Sequence, residues 1–291
     1  MFDYIFAVRP STVCNMHCAY CYRHDAIEAN YKSNKFDIDA MLWHSEHFPN
    51  NVFNFCGYGE TMMHPQFGDI IVSLSQLTHV DWVTNGTCFD TKQFNHILSD
   101  ANHSNINAIV ISVHFGQISD EDIYFSNLER HISCIRQLGI PVHITAIATD
   151  DNINHIIRNK SIIEKFRIIL KSTFDRYTLN KDIVTGGLST RSINLLRLNR
   201  MRIIPDAHPV VKFPYIGKRC PNGYRIFEVM HDGNIYDCSF DENRVEIGNI
   251  NIKHPITRLT TERTCKSNCT TCIPMLRGGY LFNIQAPKES T

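Results

Sequence analysis

Cys14, Cys18 and Cys21 lie in Thr12-Val13-Cys14-Asn15-Met16-His17-Cys18-Ala19-Tyr20-Cys21-Tyr22, directly after an apolar run that reads as a strand. No other feature of the chain restricts its fold so strongly, because one short loop must present three soft ligands together. An iron–sulfur cubane asks for a thiolate on each of its four irons, so three cysteines in one loop leave one iron open to a non-protein ligand. Zinc is the competing chemistry. His17 or His24 could complete a tetrahedral set, although structural zinc sites usually join two ligand pairs across a spacer.

Strand-like runs recur at about residues 4–9, 51–55, 79–84, 107–113, 141–148 and 166–172, with helix-like segments between them at about 37–48, 65–76, 90–99, 121–138 and 152–164. This alternation predicts parallel βα units with right-handed crossovers. Ligand loops then gather at the carboxyl ends of the strands. A doubly wound open sheet is the architectural alternative. The second run closes in Cys56-Gly57-Tyr58-Gly59-Glu60-Thr61, where bare glycines permit close backbone approach and a carboxylate stands ready to meet a cation. The third closes in Thr84-Asn85-Gly86-Thr87, and the fourth in Ser112-Val113-His114, whose alternation puts Ser112 and His114 on one face.

Cys-x3-Cys-x2-Cys with an aromatic before the third cysteine, then the Gly-x-Gly-Glu turn, then Thr-Asn-Gly-Thr, in that order, resembles the radical S-adenosylmethionine (SAM) superfamily. Tyr58 stands among the small residues of that family's Gly-Gly-Glu turn. The resemblance implies an α/β fold: a partial (βα)6 TIM-like barrel with a wide lateral opening. It implies a [4Fe-4S] cluster with an open iron on Cys14, Cys18 and Cys21, where SAM binds and is reductively cleaved to a 5′-deoxyadenosyl radical. It further implies that Gly57, Gly59 and Glu60 receive the SAM amino group, with Thr84 and Asn85 beside them. Tyr20 packs near the adenine or the cluster, Ser112 and His114 reach the ribose, and Lys171 reaches the SAM carboxylate or the substrate. For Tyr20 and Lys171 a core aromatic and a surface lysine are the plain alternatives.

A second cysteine group closes the sequence. Cys220 precedes an alternating strand, an Asp232-Gly233-Asn234 turn that favours positive backbone angles, and a returning strand that ends at Cys238; Cys265, Cys269 and Cys272 follow. Five thiols in so short a stretch ask for a metal, and a zinc-stapled subdomain would satisfy them. Cys220, Gly233, Cys238 and Ile247-Gly248-Asn249-Ile250 resemble the SPASM and twitch extensions of radical SAM enzymes. The shorter, twitch-like form implies one auxiliary iron–sulfur cluster, most often [4Fe-4S], on Cys220, Cys238, Cys269 and Cys272, with Cys265 as an alternative ligand. The expected domains are the barrel at residues 1–178, a bridging segment at 179–214, and a small cysteine-rich domain with a β-hairpin and tail at 215–291.

Composition narrows the setting. Lys plus Arg and Asp plus Glu are each 29, a formal net charge of zero, so no basic field collects a phosphate backbone and a nucleic-acid substrate is disfavoured. Arg197, Arg200 and Arg202 fall on a helix-like stretch with Leu195, Leu196 and Leu198 and read as the polar face of an amphipathic bridge. The eleven cysteines group at metal-ligand spacing and the first strand begins at once after Met1-Phe2-Asp3, so the expected location is a reducing cytoplasm. No apolar run approaches the ~20 residues that cross a bilayer.

An auxiliary cluster implies an electron acceptor, so the expected activity is oxidation or bond formation on a small molecule or peptide, with flavodoxin or ferredoxin as reducing partner. Epimerisation is the enzymatic alternative. It needs a thiol to return hydrogen, for which Cys56, Cys88, Cys134 or Cys265 would serve, although a buried cysteine such as Cys56 is more often a small hydrophobe. A noncatalytic, metal-stabilised binding protein is the alternative of another class.

Overall fold

The computed structural model describes residues 2–18, 20–21, 35–57, 59–172, 188–204, 219–238, 244–261 and 263–264. Six parallel strands follow one another in chain order: β1 (Tyr4–Val8), β2 (Asn51–Phe55), β3 (His79–Thr84), β4 (Ile106–Val113), β5 (Val142–Ala148) and β6 (Ile169–Ser172). This is the partial, TIM-like barrel expected from the alternation of strands and helices. Between them run α1 (Ile38–His47), α2 (Phe67–Ser75), α3 (Lys92–Asp100), α4 (Glu121–Gln137), α5 (Ile153–Arg158) and α6 (Lys160–Phe166).

Local chemistry sets the helix starts. Asp37, Thr91 and Asp120 accept from Ala40 N, Phe94 N and Ile123 N, satisfying backbone donors that the first helical turn leaves over. The single helix expected at 152–164 is two, because Asn159 closes α5 and opens α6. Its backbone keeps the bonds to His155 O and from Ile163 N, but its ψ of 22° departs from the helix while its side chain donates to His155 O at 3.0 Å and to Glu121 Oε2 at 2.7 Å. The helix then continues to Phe166 and ends in a left-handed Arg167, so β6 begins at Ile169 rather than near residue 166.

Both edges of this sheet extend further. A two-residue strand, β7 (Ile203–Ile204), pairs in parallel with β6 after helix α7 (Thr190–Leu198), the expected bridge helix. At the other edge, β9 (Ile226–Val229) pairs in parallel with β1, and β10 (Asn234–Tyr236) and β11 (Glu246–Asn249) continue antiparallel. The short strand preceding them, β8 (Arg219–Cys220), pairs instead with β12 (Arg263–Thr264). The expected hairpin, turning at Gly233 with φ +88°, is therefore hydrogen-bonded into the barrel sheet itself.

Neighbouring parallel strands in register share a face, which sorts the sheet into two chemistries. Phe6, Val8, Phe53, Phe55, Val80, Trp82, Ile109 and Ile111 face the helices and belong to the main core with Phe67, Ile70 and Phe94. On the opposite, inner face, Ile5, Val52 and Ile226 form a small apolar floor. Above it, Glu228, Ala7, Asn54, Asp81 and Ala108 share one register layer, and the Asn54 amide donates to the Asp81 carboxylate.

Aromatic packing fixes the hairpin to the barrel. Phe227 lies 5.2 Å from Phe6, 5.3 Å from Phe48 and 6.3 Å from Tyr4 between ring centroids. Such pairs add to the large apolar area that each ring buries. Phe227→Ala is expected to destabilise the protein by about 3–5 kcal/mol, the usual cost of emptying a fully buried aromatic site. Urea unfolding of the purified variant against wild type would measure it, and a cost below about 1 kcal/mol would show that the hairpin is not anchored at this ring.

Candidate functional site

The cysteine loop leaves the carboxyl end of β1 and is held from below by the turn after β2. Cys56 N donates to Val8 O at 2.9 Å, aligning the two strand ends, and Glu60 N donates to Val13 O at 2.9 Å, within the cysteine loop. Gly59 lies so close that a Cβ on it would meet Val13 O at 2.3 Å and the Thr12 carbonyl carbon at 2.8 Å. Only glycine lets the two backbones approach this far.

Glu60 is buried at the centre of this arrangement. Its Oε1 accepts from Thr84 Oγ1 at 2.7 Å and from Met62 N at 3.1 Å, and its Oε2 accepts from Asn85 N at 2.7 Å. Burial pushes its pKa up against the pull of these donors. The turn after β3 thus orients the carboxylate. The same turn also reaches the cysteine loop: Asn85 Nδ2 donates to Asn15 Oδ1 at 2.9 Å, and Asn15 Nδ2 donates to Thr87 Oγ1 at 2.7 Å. Tyr124 of α4 donates to Asn85 O at 2.8 Å, bracing the turn from behind.

The three thiols share one electrostatic neighbourhood. Burial pushes Cys18 up to about 12, with Cys21 and Cys14 adding to the rise, and burial likewise raises Cys14. A cation among these thiols would offset the mutual repulsion that adds to the rise at Cys14 and Cys18, which is what a metal-containing group supplies. Among the described residues, no three Cys, His, Asp or Glu side chains converge as ligands of a single ion.

Tyr20 and His114, distant in sequence, meet across the mouth of the barrel. The Tyr20 hydroxyl lies 2.6 Å from His114 Nδ1, and the rings are nearly parallel at 5.9 Å. Burial lowers His114 to about 4 and raises Tyr20, whose pKa Cys18 lifts further. The ring is therefore neutral, with one nitrogen a donor and the other an acceptor, and the Tyr20 hydroxyl also bonds Cys18, which ties this pair to the cysteine loop. Ser112 and Lys171 are half-buried on strands β4 and β6, Ser112 in register with Thr145 and Lys171 with Ile147. Among the described residues neither bonds to the cysteine loop, so both contribute position on the inner face rather than a built contact.

The other thiols separate by place. Cys56 is buried beside the glycine turn, Cys88 is buried near Glu60 and Cys14, and Cys134 is exposed on α4. Cys220 and Cys238 are both buried, at the start of the hairpin and at its end. Cys265, Cys269 and Cys272 lie outside the described residues. Two side chains near the loop went unread in the sequence: Asn15, which ties it to the third turn, and Arg9, whose Nη2 donates at 2.8 Å to Glu228 Oε2 beneath Gly57. The available signal for Arg9 was a charge directly after an apolar strand, where a solvated loop residue is the usual reading.

No family model matches the sequence, and no curated protein matches it. Solved structures do. SuiB from Streptococcus suis bound to S-adenosylmethionine is 15% identical with a TM-score of 0.53, over 84% of this chain and 63% of that one. The enzyme anSMEcpe with bound AdoMet is 16% identical with a TM-score of 0.53, over 94% of this chain and 80% of that one. The chain has the fold of the radical SAM enzymes. It spans less than two thirds of the length of SuiB. SuiB bound to its precursor peptide SuiA matches equally in kind, at 14% identity and a TM-score of 0.51. Within this radical SAM fold, no helix among the described residues is long and apolar enough to cross a membrane.

Proposed function

We propose that the chain is a radical SAM enzyme that reductively cleaves S-adenosylmethionine and carries out oxidation or bond formation on a peptide or small molecule. One observation carries the reading: a three-thiol loop is bonded directly to a Gly-x-Gly-Glu turn through Glu60 N and Val13 O, and that turn's carboxylate is oriented by Thr84 and Asn85. Zinc stapling gives no reason for a buried, three-donor carboxylate next to the thiols. An amino group seeking an anion does.

Cys14, Cys18 and Cys21 would hold the open-iron cluster, with Gly57, Gly59 and Glu60 receiving the SAM amino group. Tyr20 and His114 would face the adenine and ribose, and Ser112 and Lys171 would line the same inner face. When bound, the cluster and SAM supply hydrogen abstraction, and an auxiliary cluster supplies an electron acceptor. The protein's own residues orient the reactants and keep the site dry.

Residues 215–291 would provide the auxiliary ligands Cys220, Cys238, Cys269 and Cys272, with Cys265 as the alternative. Two observations support a bound group there. Cys220 pairs across β8 and β12 with Arg263, two residues before Cys265. Asn222 is 1% exposed, yet among the described residues neither its Nδ2 nor its Oδ1 has a hydrogen-bond partner. A buried amide with no partner costs free energy, and cluster sulfides accept the kind of hydrogen bond it offers. A peptide substrate is favoured over a small molecule because SuiB is bound to the precursor peptide SuiA and anSMEcpe to the Cp18Cys peptide in the matching structures.

The test is anaerobic reconstitution with iron and sulfide, followed by dithionite and SAM. Formation of 5′-deoxyadenosine and methionine is the expected result. Purification with stoichiometric zinc and no SAM turnover after reconstitution would overturn the reading.

A further inference from the structure

Arg9 and Glu228 form an ion pair in which both side chains are 1% exposed, joining the end of β1 to the middle of β9. The Arg9 backbone is fastened to the same strand, donating from N to Val229 O at 2.9 Å. On its other side, the arginine stem underlies Gly57. A Cβ there would meet Arg9 Cγ at 3.0 Å, Cβ at 3.2 Å and Nη1 at 3.3 Å, and Gly57 takes a φ of +142° that few side-chain-bearing residues adopt. One guanidinium therefore touches the turn that leads to Glu60 and the strand that leads through β10 to Cys238.

Stability alone gives little reason for charges here. Desolvating two ions offsets most of their attraction, and well-packed apolar residues at such places often serve the fold as well or better. In its inner layer Glu228 lies beside Ala7, with Asn54 and Asp81 beyond, while Phe227, Val229 and Val8 point to the apolar face that packs on the helices. What an ion pair adds over an apolar contact is direction. Glu228 Oε2 fixes where the guanidinium lies, and the guanidinium fixes the height of the Gly57 turn against the cysteine loop, which Gly59 in turn contacts through backbone atoms.

We propose that Arg9 and Glu228 are positioning residues through which the C-terminal hairpin sets the geometry of the Gly57–Glu60 turn, and hence the affinity for SAM. The proposal rests on the radical SAM reading of that turn. With both side chains 1% exposed, they would act through the turn rather than on a bound ligand. The pair makes the SAM site depend on the hairpin that carries Cys220 and Cys238, so the two ends of the chain are not independent modules.

The test compares wild type, Glu228→Gln and the double variant Arg9→Met/Glu228→Leu, each reconstituted anaerobically, by equilibrium dialysis against labelled SAM, iron content and thermal melting. Glu228→Gln is expected to retain its iron and bind SAM about 10- to 100-fold more weakly, as when a partner that orients a binding group is lost. The double variant is expected to melt at or above the wild-type temperature and still bind SAM weakly, a separation that a purely structural pair would not produce. SAM affinity within twofold of wild type in the double variant would overturn the proposal, whatever the single variant does. Failure of both variants to fold would show that the charges serve the fold alone, which also overturns it. Wild-type protein that binds no SAM removes the underlying reading, a result distinct from equal binding by all three proteins.

Discussion

Replacing Cys14, Cys18 and Cys21 together by alanine is expected to abolish SAM cleavage while leaving a folded protein that retains about four irons and matching sulfide per chain, as one remaining cubane requires. Folding should survive because the core lies elsewhere. The loop hangs beyond β1, and the aromatic and aliphatic residues that hold the sheet belong to the strand faces and helices. Activity should vanish because no other set of thiols in the described residues stands beside Glu60. The iron that remains reports on Cys220, Cys238, Cys265, Cys269 and Cys272. Iron and sulfide counted anaerobically in the folded variant decide between two chemistries: about four irons place an electron acceptor in the C-terminal region and favour oxidation or cross-linking. A folded variant without iron removes that acceptor and leaves redox-neutral chemistry, such as epimerisation with a thiol donor, as the reading to pursue.

The barrel was legible in the sequence because its strands are largely buried and read as mostly apolar runs, separated by segments of helical length and closed by Gly, Asn and Thr turns. The three ligand loops were legible for the same reason, since they fall at the carboxyl ends of those runs. What escaped was pairing between distant segments. Nothing local in Ile226-Phe227-Glu228-Val229 says that this strand lies parallel to β1, because register between strands more than 200 residues apart depends on the whole sheet. Glu228, Asp81 and Arg9 each read alone as a charge interrupting an apolar run. Only the assembled register shows that Glu228 and Asp81 lie in one inner layer, with Arg9 reaching down to it. The Tyr20–His114 contact was half visible: alternation put His114 on the ligand face, but the ring that meets it comes from a loop 94 positions earlier. The break at Asn159 left no mark in the sequence because apolar spacing continues through it and no glycine or proline stands there; a side-chain hydrogen bond to Glu121 accompanies it.

Gly59→Ala is expected to lower the rate of SAM cleavage by about 100-fold or more, with a stability loss of about 1–3 kcal/mol. The atoms that an added methyl would strike are Val13 O, the Thr12 carbonyl carbon and the Val13 carbonyl carbon, at 2.3, 2.8 and 2.9 Å. None is the end of a flexible side chain, so relief must come from moving the cysteine loop or the glycine turn as a unit. Moving either breaks the bond from Glu60 N to Val13 O and shifts Cys14, the next residue, relative to the carboxylate. A displacement of about 1 Å between reacting partners is enough for losses of this size, while the fold beneath is little disturbed. Gly139→Ala separates backbone strain from crowding: Gly139 has a φ of +77°, and an added Cβ there meets nothing within 4 Å. That variant should lose about 1–2 kcal/mol of stability and keep its activity. Single-turnover assays of 5′-deoxyadenosine, read beside urea unfolding for both variants, make the comparison. Wild-type turnover in Gly59→Ala would mean that the close approach of the two backbones has no part in the chemistry, and that the site must be sought away from the cysteine loop.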